Sequence, residues 1–473
     1  MIVIGRKEEK DELIRCAQSK KPELVCVYGR RRVGKTFLVE QCFSSAFAFR
    51  ATGLEKGNMR AQLKSFHLRL AQYGGVSKTI PKDWFEAFSQ LEQLLRSNDA
   101  TRSIYGKKIV FLDEFPWFAT PRSDFLAAFG EFWNRFGASQ ADLMLIICGS
   151  ATSWIISNIV ESTGSLYDRV TSQIILHPFS LRETELFFES RGFDWNRQLI
   201  AECQMIFGGL PYFLDLLNAN ESLRWNVDHL CFQDGALLQS ETKRLLETTL
   251  KSSPVYGQIL ELLSKHTYGL EKELCLDKLH IPRATFFRSV DDLKKCGYVS
   301  EYKSENYGKP LRLQLIDPFL LFHYRFLSDI SAQPDVRFSD FQEEDGRYAN
   351  WRGHAFETLC LYHAEQIRKA LGISGVRTRI FPWVSSQQAG GAQIDLVIER
   401  ADKLTNLCEI KFTDHPFSMH AQDDEGLYRK AKVFREETKT TNALKWVLIT
   451  ANGIRGTAYT ERISKILTLD DLF

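Results

Sequence analysis

Three stretches of this chain carry residue types at spacings that chemistry uses. Residues 29 to 36 read GRRRVGKT, a full match to G-x-x-x-x-G-K-[ST]. Gly29 and Gly34 permit the tight turn that points the backbone N–H groups of Arg30, Arg31, Arg32 and Val33 at phosphate oxygens. Lys35 is placed to reach the β- and γ-phosphates of ATP, and Thr36 to ligate Mg²⁺. A helix opening near Lys35 adds its positive N-terminal end. Residues 108 to 114, KIVFLDE, are an apolar run ending in two acids. Asp113 at such a strand end can hold the Mg²⁺ shell, and Glu114 can orient and deprotonate an attacking water. The bland alternative is a surface acid pair capping a strand.

The third stretch is QIDLVIERADKLTNLCEIKF, residues 393 to 412. Two apolar runs are interrupted by Asp395 in the first and by Glu409 and Lys411 in the second. Side chains alternate across a strand, so Glu409 and Lys411 share a face while Cys408, Ile410 and Phe412 turn to the core. Asp395 comes to lie beside Glu409 if the two strands pair. Two adjacent carboxylates repel unless a cation joins them. Mg²⁺, a hard ion with a preference for oxygen, suits Asp395 and Glu409 as ligands. Lys411 can then position a water or stabilise charge on a phosphate. The alternative is an exposed edge hairpin with a Glu409–Lys411 ion pair. The same spacing recurs at Asp291 with Glu301 and Lys303, but there the aspartate falls in a charged helix and serines flank the strand.

Other candidates read two ways. Ser150, after LMLIICG, can sense the γ-phosphate or simply close a strand. Arg169, in SLYDRVT, can be a charge-stabilising arginine offered to a neighbouring subunit or form a surface ion pair. Gly209 and Pro211, in GGLPYF, can mark a lid leaning on adenine or an ordinary helix break.

These residues need scaffolding. Apolar strand candidates at 24–28, 45–51, 108–113 and 143–148 alternate with helical patterns at 36–43, 59–72, 83–96 and 123–136. That alternation predicts a parallel sheet covered on both faces. HPFSLRETELFFESRG opens a helical region to about 250, with Ser180 and Glu183 as a capping box. From 253 the pattern is three helices and two strands, with Ser253 capping and Pro254 at the first helical position. Gly297 closes the third helix, and residues 305–310 form a wing-like loop. The final part mixes a helix (354–371), strands (376–381, 393–399, 406–412), a helix (424–437) and a strand (445–450). The polar segment 328–345 is the linker candidate.

Composition bounds the rest. The 473 residues are 44% hydrophobic and 25% charged, enough for two to four domains with real cores. Net charge is +2, so nucleic-acid contact rests on local basic patches. Arg283, Arg288, Lys294, Lys295, Lys309 and Arg312 offer one on the third helix and the wing, against which Asp291 and Asp292 count. No apolar run approaches the ~20 residues of a membrane span. The ten scattered cysteines show no zinc spacing, which reads as a reduced cytoplasmic protein.

GRKEEKDEL at the start, GRRRVGKT, FLDEF, GGLPYF and DPFLLFHYRF together resemble a prokaryotic ATPase family abundant in archaea, itself similar to the AAA+ and STAND branch of P-loop ATPases. The resemblance spans most of residues 1 to 330. It implies an ATPase core, a helical lid and a winged helix, and places Arg6 near the nucleotide. Asp395, Glu409 and Lys411 sit at the motif positions of the PD-(D/E)XK nuclease core, and Glu357, in GHAFETL, matches the acidic helix residue of that fold. The segment SSQQAGGAQ before Asp395 lacks the proline of that motif.

The fold expected is therefore α/β: a P-loop ATPase parallel sheet (1–178), a helical lid (179–250), a winged helix (251–327), a linker (328–345) and a restriction-endonuclease-like domain (346–473). One functional reading is an ATPase coupled to a Mg²⁺-dependent nuclease acting on DNA more than RNA. The other is a nucleotide-dependent DNA- or protein-binding switch with a silent C-terminal domain. A lesser third is a STAND-like signalling ATPase with a protein ligand. Arg169 acting between subunits would require a homo-oligomer.

Overall fold

The computed structural model describes the chain except residues 1, 2, 44, 45, 76, 98, 99, 162, 163, 165, 167, 243, 246–252, 304–310, 329–336, 344, 345, 386–390 and 457. The described residues form two compact units, one ending at Pro178 and one beginning at Phe179.

The first unit is built on five parallel strands: β1 (Glu23–Gly29), β2 (Phe49–Thr52), β3 (Lys108–Asp113), β4 (Leu143–Gly149) and β5 (Ser172–Leu176), in the order β2-β3-β4-β1-β5. Every residue of β1 and β4 is buried, as strands covered on both faces require. Helices α1 (Lys7–Gln18), α2 (Lys35–Phe43), α3 (Met59–Gln72), α4 (Trp84–Arg96) and α5 (Phe125–Arg135) connect and cover them. Asn58 and Asp83 cap α3 and α4 by accepting backbone N–H groups. Their inner faces form an aromatic core in which Phe66 meets Trp84 edge-on at 5.5 Å and Trp84 is fully buried. The expected strand at 45–51 is shorter and begins at Phe49. β5 was not expected: it is an edge strand whose side chains alternate buried and exposed, so it lacks the unbroken apolar run of its neighbours.

The second unit opens with α6 (Leu181–Ser190) and α7 (Arg197–Phe207), then short helical turns. Ser180 and Glu183 form the expected capping box. Next come α8 (Pro254–Ser264), α9 (Lys272–Leu279) and α10 (Arg283–Lys295) with a small antiparallel sheet of β6 (Leu270–Glu271), β7 (Val299–Tyr302) and β8 (Arg312–Leu315), ordered β6-β8-β7. Ser253 accepts the Val255 N–H and Pro254 starts α8. The wing-like loop and most of the linker candidate lie outside the described residues.

The last part is a mixed five-stranded sheet of β9 (Thr378–Val384), β10 (Gln393–Arg400), β11 (Leu404–Lys411), β12 (Ala443–Thr450) and β13 (Ile463–Thr468), ordered β13-β12-β11-β10-β9. β9, β10 and β11 pair antiparallel; β11, β12 and β13 pair parallel. Helices α11 (Arg347–Tyr362) and α12 (Ala421–Thr438) flank it. The single helix expected at 354–371 starts earlier and is interrupted at His363, whose ring makes two backbone contacts: Nδ1 bonds Leu359 O, and Nε2 accepts the Leu181 N–H at 3.0 Å. The first residue of α6 is thus capped from α11.

Candidate functional sites

The phosphate-loop residues run from the last residue of β1, Gly29, to the first two of α2, Lys35 and Thr36. Gly29 ends β1 at φ 151°, paired with Leu176 of β5; a Cβ there would stand 2.2 Å from the Leu176 carbonyl oxygen. Arg32 and Gly34 take φ 75° and 89°, a left-handed turn that keeps the loop open. Lys35 is buried, its ammonium donating to the Gly29 and Arg30 carbonyls at 3.0 and 2.8 Å. Burial pushes its pKa down, while Cys148, Glu114 and Asp113 act in the opposite sense. Arg6 is buried against the loop from outside: its guanidinium donates to the Val33 and His177 carbonyls at 3.4 and 2.6 Å.

β4 lies between β1 and β3, so the acids of β3 reach the loop from one strand away. Thr36 Oγ1 donates to Asp113 Oδ2 at 3.0 Å, and the other Asp113 oxygen accepts the Glu114 N–H at 2.9 Å. Glu114 sits at φ 45°, where the chain leaves β3. Ser150, at the end of β4, donates its hydroxyl to Glu114 Oε2 at 3.0 Å and its N–H to the same oxygen at 3.3 Å. Ser150 therefore meets Glu114, a partner the sequence did not indicate. Arg169 is exposed. Pro211 belongs to the second unit, at the first position of a short helix following the left-handed Gly208 and Gly209. The Gly209 carbonyl accepts the Phe179 N–H at 2.7 Å.

In the C-terminal sheet, β10 and β11 pair with Leu396 opposite Cys408, which brings Asp395 opposite Glu409. β10 bulges against β9 between Ile394 and Val397, at Asp395 itself. Asp395 is 8% exposed, and its Oδ2 accepts the Ile410 N–H at 2.8 Å. Glu409 and Lys411 share a face: Lys411 Nζ lies 2.9 Å from Glu409 Oε1. Lys430 of α12 lies 2.6 Å from Glu409 Oε2. Glu357 projects from α11, 3.3 Å from His354 Nδ1.

Charge ties these groups together. Burial, then Glu409, then Glu357 push the Asp395 carboxyl up to about 7. Burial opposes the charge on Glu409, yet Lys411 and Lys430 hold it below the usual carboxylate range. Burial likewise opposes the charge on Lys411, but Glu409, Asp395 and Glu357 raise its pKa. Among the described residues, no group of three or more His, Cys, Asp or Glu side chains is arranged to hold a metal ion. The available donor set is the Asp395 and Glu409 carboxylates, hard oxygen ligands with surplus negative charge that a cation would relieve.

No family model matches the chain. It is 22% identical over 434 residues to an uncharacterized protein of Methanocaldococcus jannaschii, covering 91% of this chain and 92% of that one. It is similar to the Walker-type ATPase of Pyrococcus abyssi, at 20% identity over 68% of this chain and 96% of that structure, TM-score 0.48. It is also similar to the ORC2 protein of Aeropyrum pernix, at 14% identity over 70% and 95%, TM-score 0.42. A STAND protein of Pyrococcus horikoshii with a tetratricopeptide repeat sensor gives 14% identity over 79% and 52%, TM-score 0.30.

The basic face expected on α10 is mostly neutralised. Arg283 pairs with Glu273 at 2.7 Å, Lys295 with Asp291 at 3.2 Å, and Lys294 with Glu301. Arg312 lies 3.6 Å from Glu271, Arg288 is exposed, and Lys309 lies outside the described residues. Glu301 is also gripped by Lys272 at 2.6 Å. Asp291 and Glu301, which repeat the Asp…Glu-x-Lys pattern of Asp395 and Glu409, are thus ion-pair partners. Lys430 is the site residue the sequence concealed, because nothing local states which face of α12 meets β11. Among the described residues, no helix is long and apolar enough to cross a membrane.

Proposed function

We propose that the first unit binds and hydrolyses ATP with Mg²⁺, and that the second carries a lid, a winged helix and a PD-(D/E)XK-type site that cuts DNA in preference to RNA with Mg²⁺. The observation that carries the ATPase reading is the convergence of Lys35, Thr36, Asp113 and Glu114 at one strand-end cluster. Thr36 and Asp113 already share a hydrogen bond, and this oxygen pair fits the Mg²⁺ that accompanies ATP. Lys35, held by the loop carbonyls, would turn to the phosphates, and Glu114 would take a proton from the attacking water.

The nuclease reading rests on Asp395, Glu409 and Lys411 meeting on neighbouring strands with Glu357 beside them. Asp395 and Glu409 would hold Mg²⁺, which keeps several waters of its own and so needs few protein ligands. Bound between Asp395 and Glu409, such an ion would supply a lowered pKa for its water and charge neutralisation for the phosphate. Lys411 would orient the water, and Lys430 would fix Glu409.

Cleavage and ATPase assays of wild type, Lys35→Ala and Lys411→Ala test both halves. Lys35→Ala should lose ATP hydrolysis. Lys411→Ala should lose cutting of plasmid or single-stranded DNA and retain ATP hydrolysis. Cutting that persists unchanged in Lys411→Ala refutes the site. A wild type that binds DNA in an ATP-sensitive way but cuts nothing with Mg²⁺ or Mn²⁺ establishes the binding-switch reading, to which the lysine pair on Glu409 also lends itself.

A further inference from the structure

The carboxylate site has a wall that comes from outside the C-terminal sheet. Tyr268 stands in the turn before β6, and its ring meets that of His354 edge-on, centroids 5.9 Å apart at 86°. Its hydroxyl lies 3.4 Å from His354 Nδ1, the ring nitrogen that stands 3.3 Å from Glu357 Oε1. His354 Nδ1 therefore stands between the Tyr268 hydroxyl and the Glu357 carboxylate.

The turn that delivers Tyr268 is itself fixed. The Tyr268 carbonyl accepts from the Tyr302 hydroxyl and from Arg312 Nε at 3.4 Å, and Arg312 also bonds the Gly269 carbonyl at 2.9 Å. Gly269 adopts φ 68° and packs so closely that a Cβ would lie 2.5 Å from the Leu313 carbonyl oxygen. Tyr302 is buried in one cluster with Phe381, Trp383 and Ile394 of the C-terminal sheet. A side chain braced on both sides in this way is a permanent part of the site rather than a swinging gate.

We propose that Tyr268 is a positioning residue of the carboxylate site: its hydroxyl holds the His354 ring, which in turn orients the Glu357 carboxylate. The inference rests on the nuclease reading above. It makes the site composite, with one member supplied by the three-helix element roughly a hundred residues upstream of the strands that carry Asp395 and Glu409. Tyr268 acts through His354 on Glu357, and Glu357 acts on the charge at Asp395.

Tyr268→Phe keeps the ring and its edge-on contact with His354 and removes only the hydroxyl that meets Nδ1. The test compares full-length wild type and Tyr268→Phe in three measurements: Mn²⁺ affinity by calorimetric titration, kcat and KM for DNA cleavage between pH 6 and 9, and the melting temperature. Orienting partners of a metal site change affinity or activity by about tenfold or more when lost. Tyr268→Phe should therefore weaken Mn²⁺ binding and lower kcat by about tenfold and shift the pH profile of kcat, with KM for DNA and the melting temperature unchanged. A variant matching wild type in Mn²⁺ affinity, kcat and pH profile overturns the proposal alone. A wild type that neither binds Mn²⁺ nor cleaves overturns the nuclease reading and this inference with it.

Discussion

Replacing Asp395 by asparagine should stabilise the metal-free protein above neutral pH. The unfolded chain releases this proton near 3.8, whereas the folded carboxyl, buried and facing Glu409 and Glu357, keeps it to about 7. The folded state thus binds more protons throughout that window, and stability falls as pH rises through it, opposite to the usual aspartate. The full interval at 1.4 kcal/mol per unit is on the order of 4 kcal/mol. Part of it is repulsion shared with Glu409 and Glu357, so about 2 kcal/mol is a sounder expectation for one substitution. Asparagine keeps an oxygen to accept the Ile410 N–H and carries no charge at any pH. Calorimetry in a chelator at a series of pH values from 5 to 8.5 should show Asp395→Asn melting several degrees above wild type at pH 8, the gap closing toward acid. Added Mg²⁺ should then raise the wild type and leave the variant unmoved. A variant less stable than wild type at pH 8, or a gap independent of pH, refutes the argument that uncompensated charge is held at this spot.

Two further substitutions probe other contacts. Ser150→Ala frees the Glu114 carboxylate from a hydroxyl donor that competes with the attacking water, so steady-state ATP hydrolysis should rise about threefold with ATP affinity unchanged. A fall in rate with weakened ATP binding would instead return Ser150 to the γ-phosphate contact read from sequence. Tyr348→Phe removes the hydroxyl that bonds the buried Glu202 carboxyl, which burial already pushes above its ordinary pKa. Chemical denaturation should then show a loss of about 1–3 kcal/mol, and an unchanged midpoint would mean that water satisfies Glu202.

What the sequence disclosed follows the range of the interactions involved. The phosphate loop was legible because its turn, lysine and helix start are contiguous, and KIVFLDE because a buried central strand must be apolar end to end. β5 escaped notice because an edge strand exposes alternate residues, Ile175 among them at 44%. β13, also an edge strand, escaped because Ser464, Lys465 and Ile466 are exposed in succession and leave no apolar run. The pairing of Asp395 with Glu409 could be anticipated from alternation, but the bulge at Asp395 could not, since it depends on β9 as well. Lys430 reaches Glu409, and Tyr268 reaches His354 beside Glu357, through helix rotation and chain folding, which no local pattern encodes. The reading of a basic surface on α10 allowed for Asp291 and Asp292 but not for Glu273 and Glu301 as ion-pair partners.

The cap that His363 places on Leu181 has a practical bearing on how this chain can be cut. A gene fragment beginning at residue 346 looks like a natural excision, yet it would leave that imidazole without its amide. Tyr348 and Arg352 would be stripped of Glu202, and the hole vacated by Tyr302 would open onto Trp383 and Phe381. Such a piece would be prone to aggregate for reasons unrelated to catalysis, and its silence in an assay would say nothing about the intact chain.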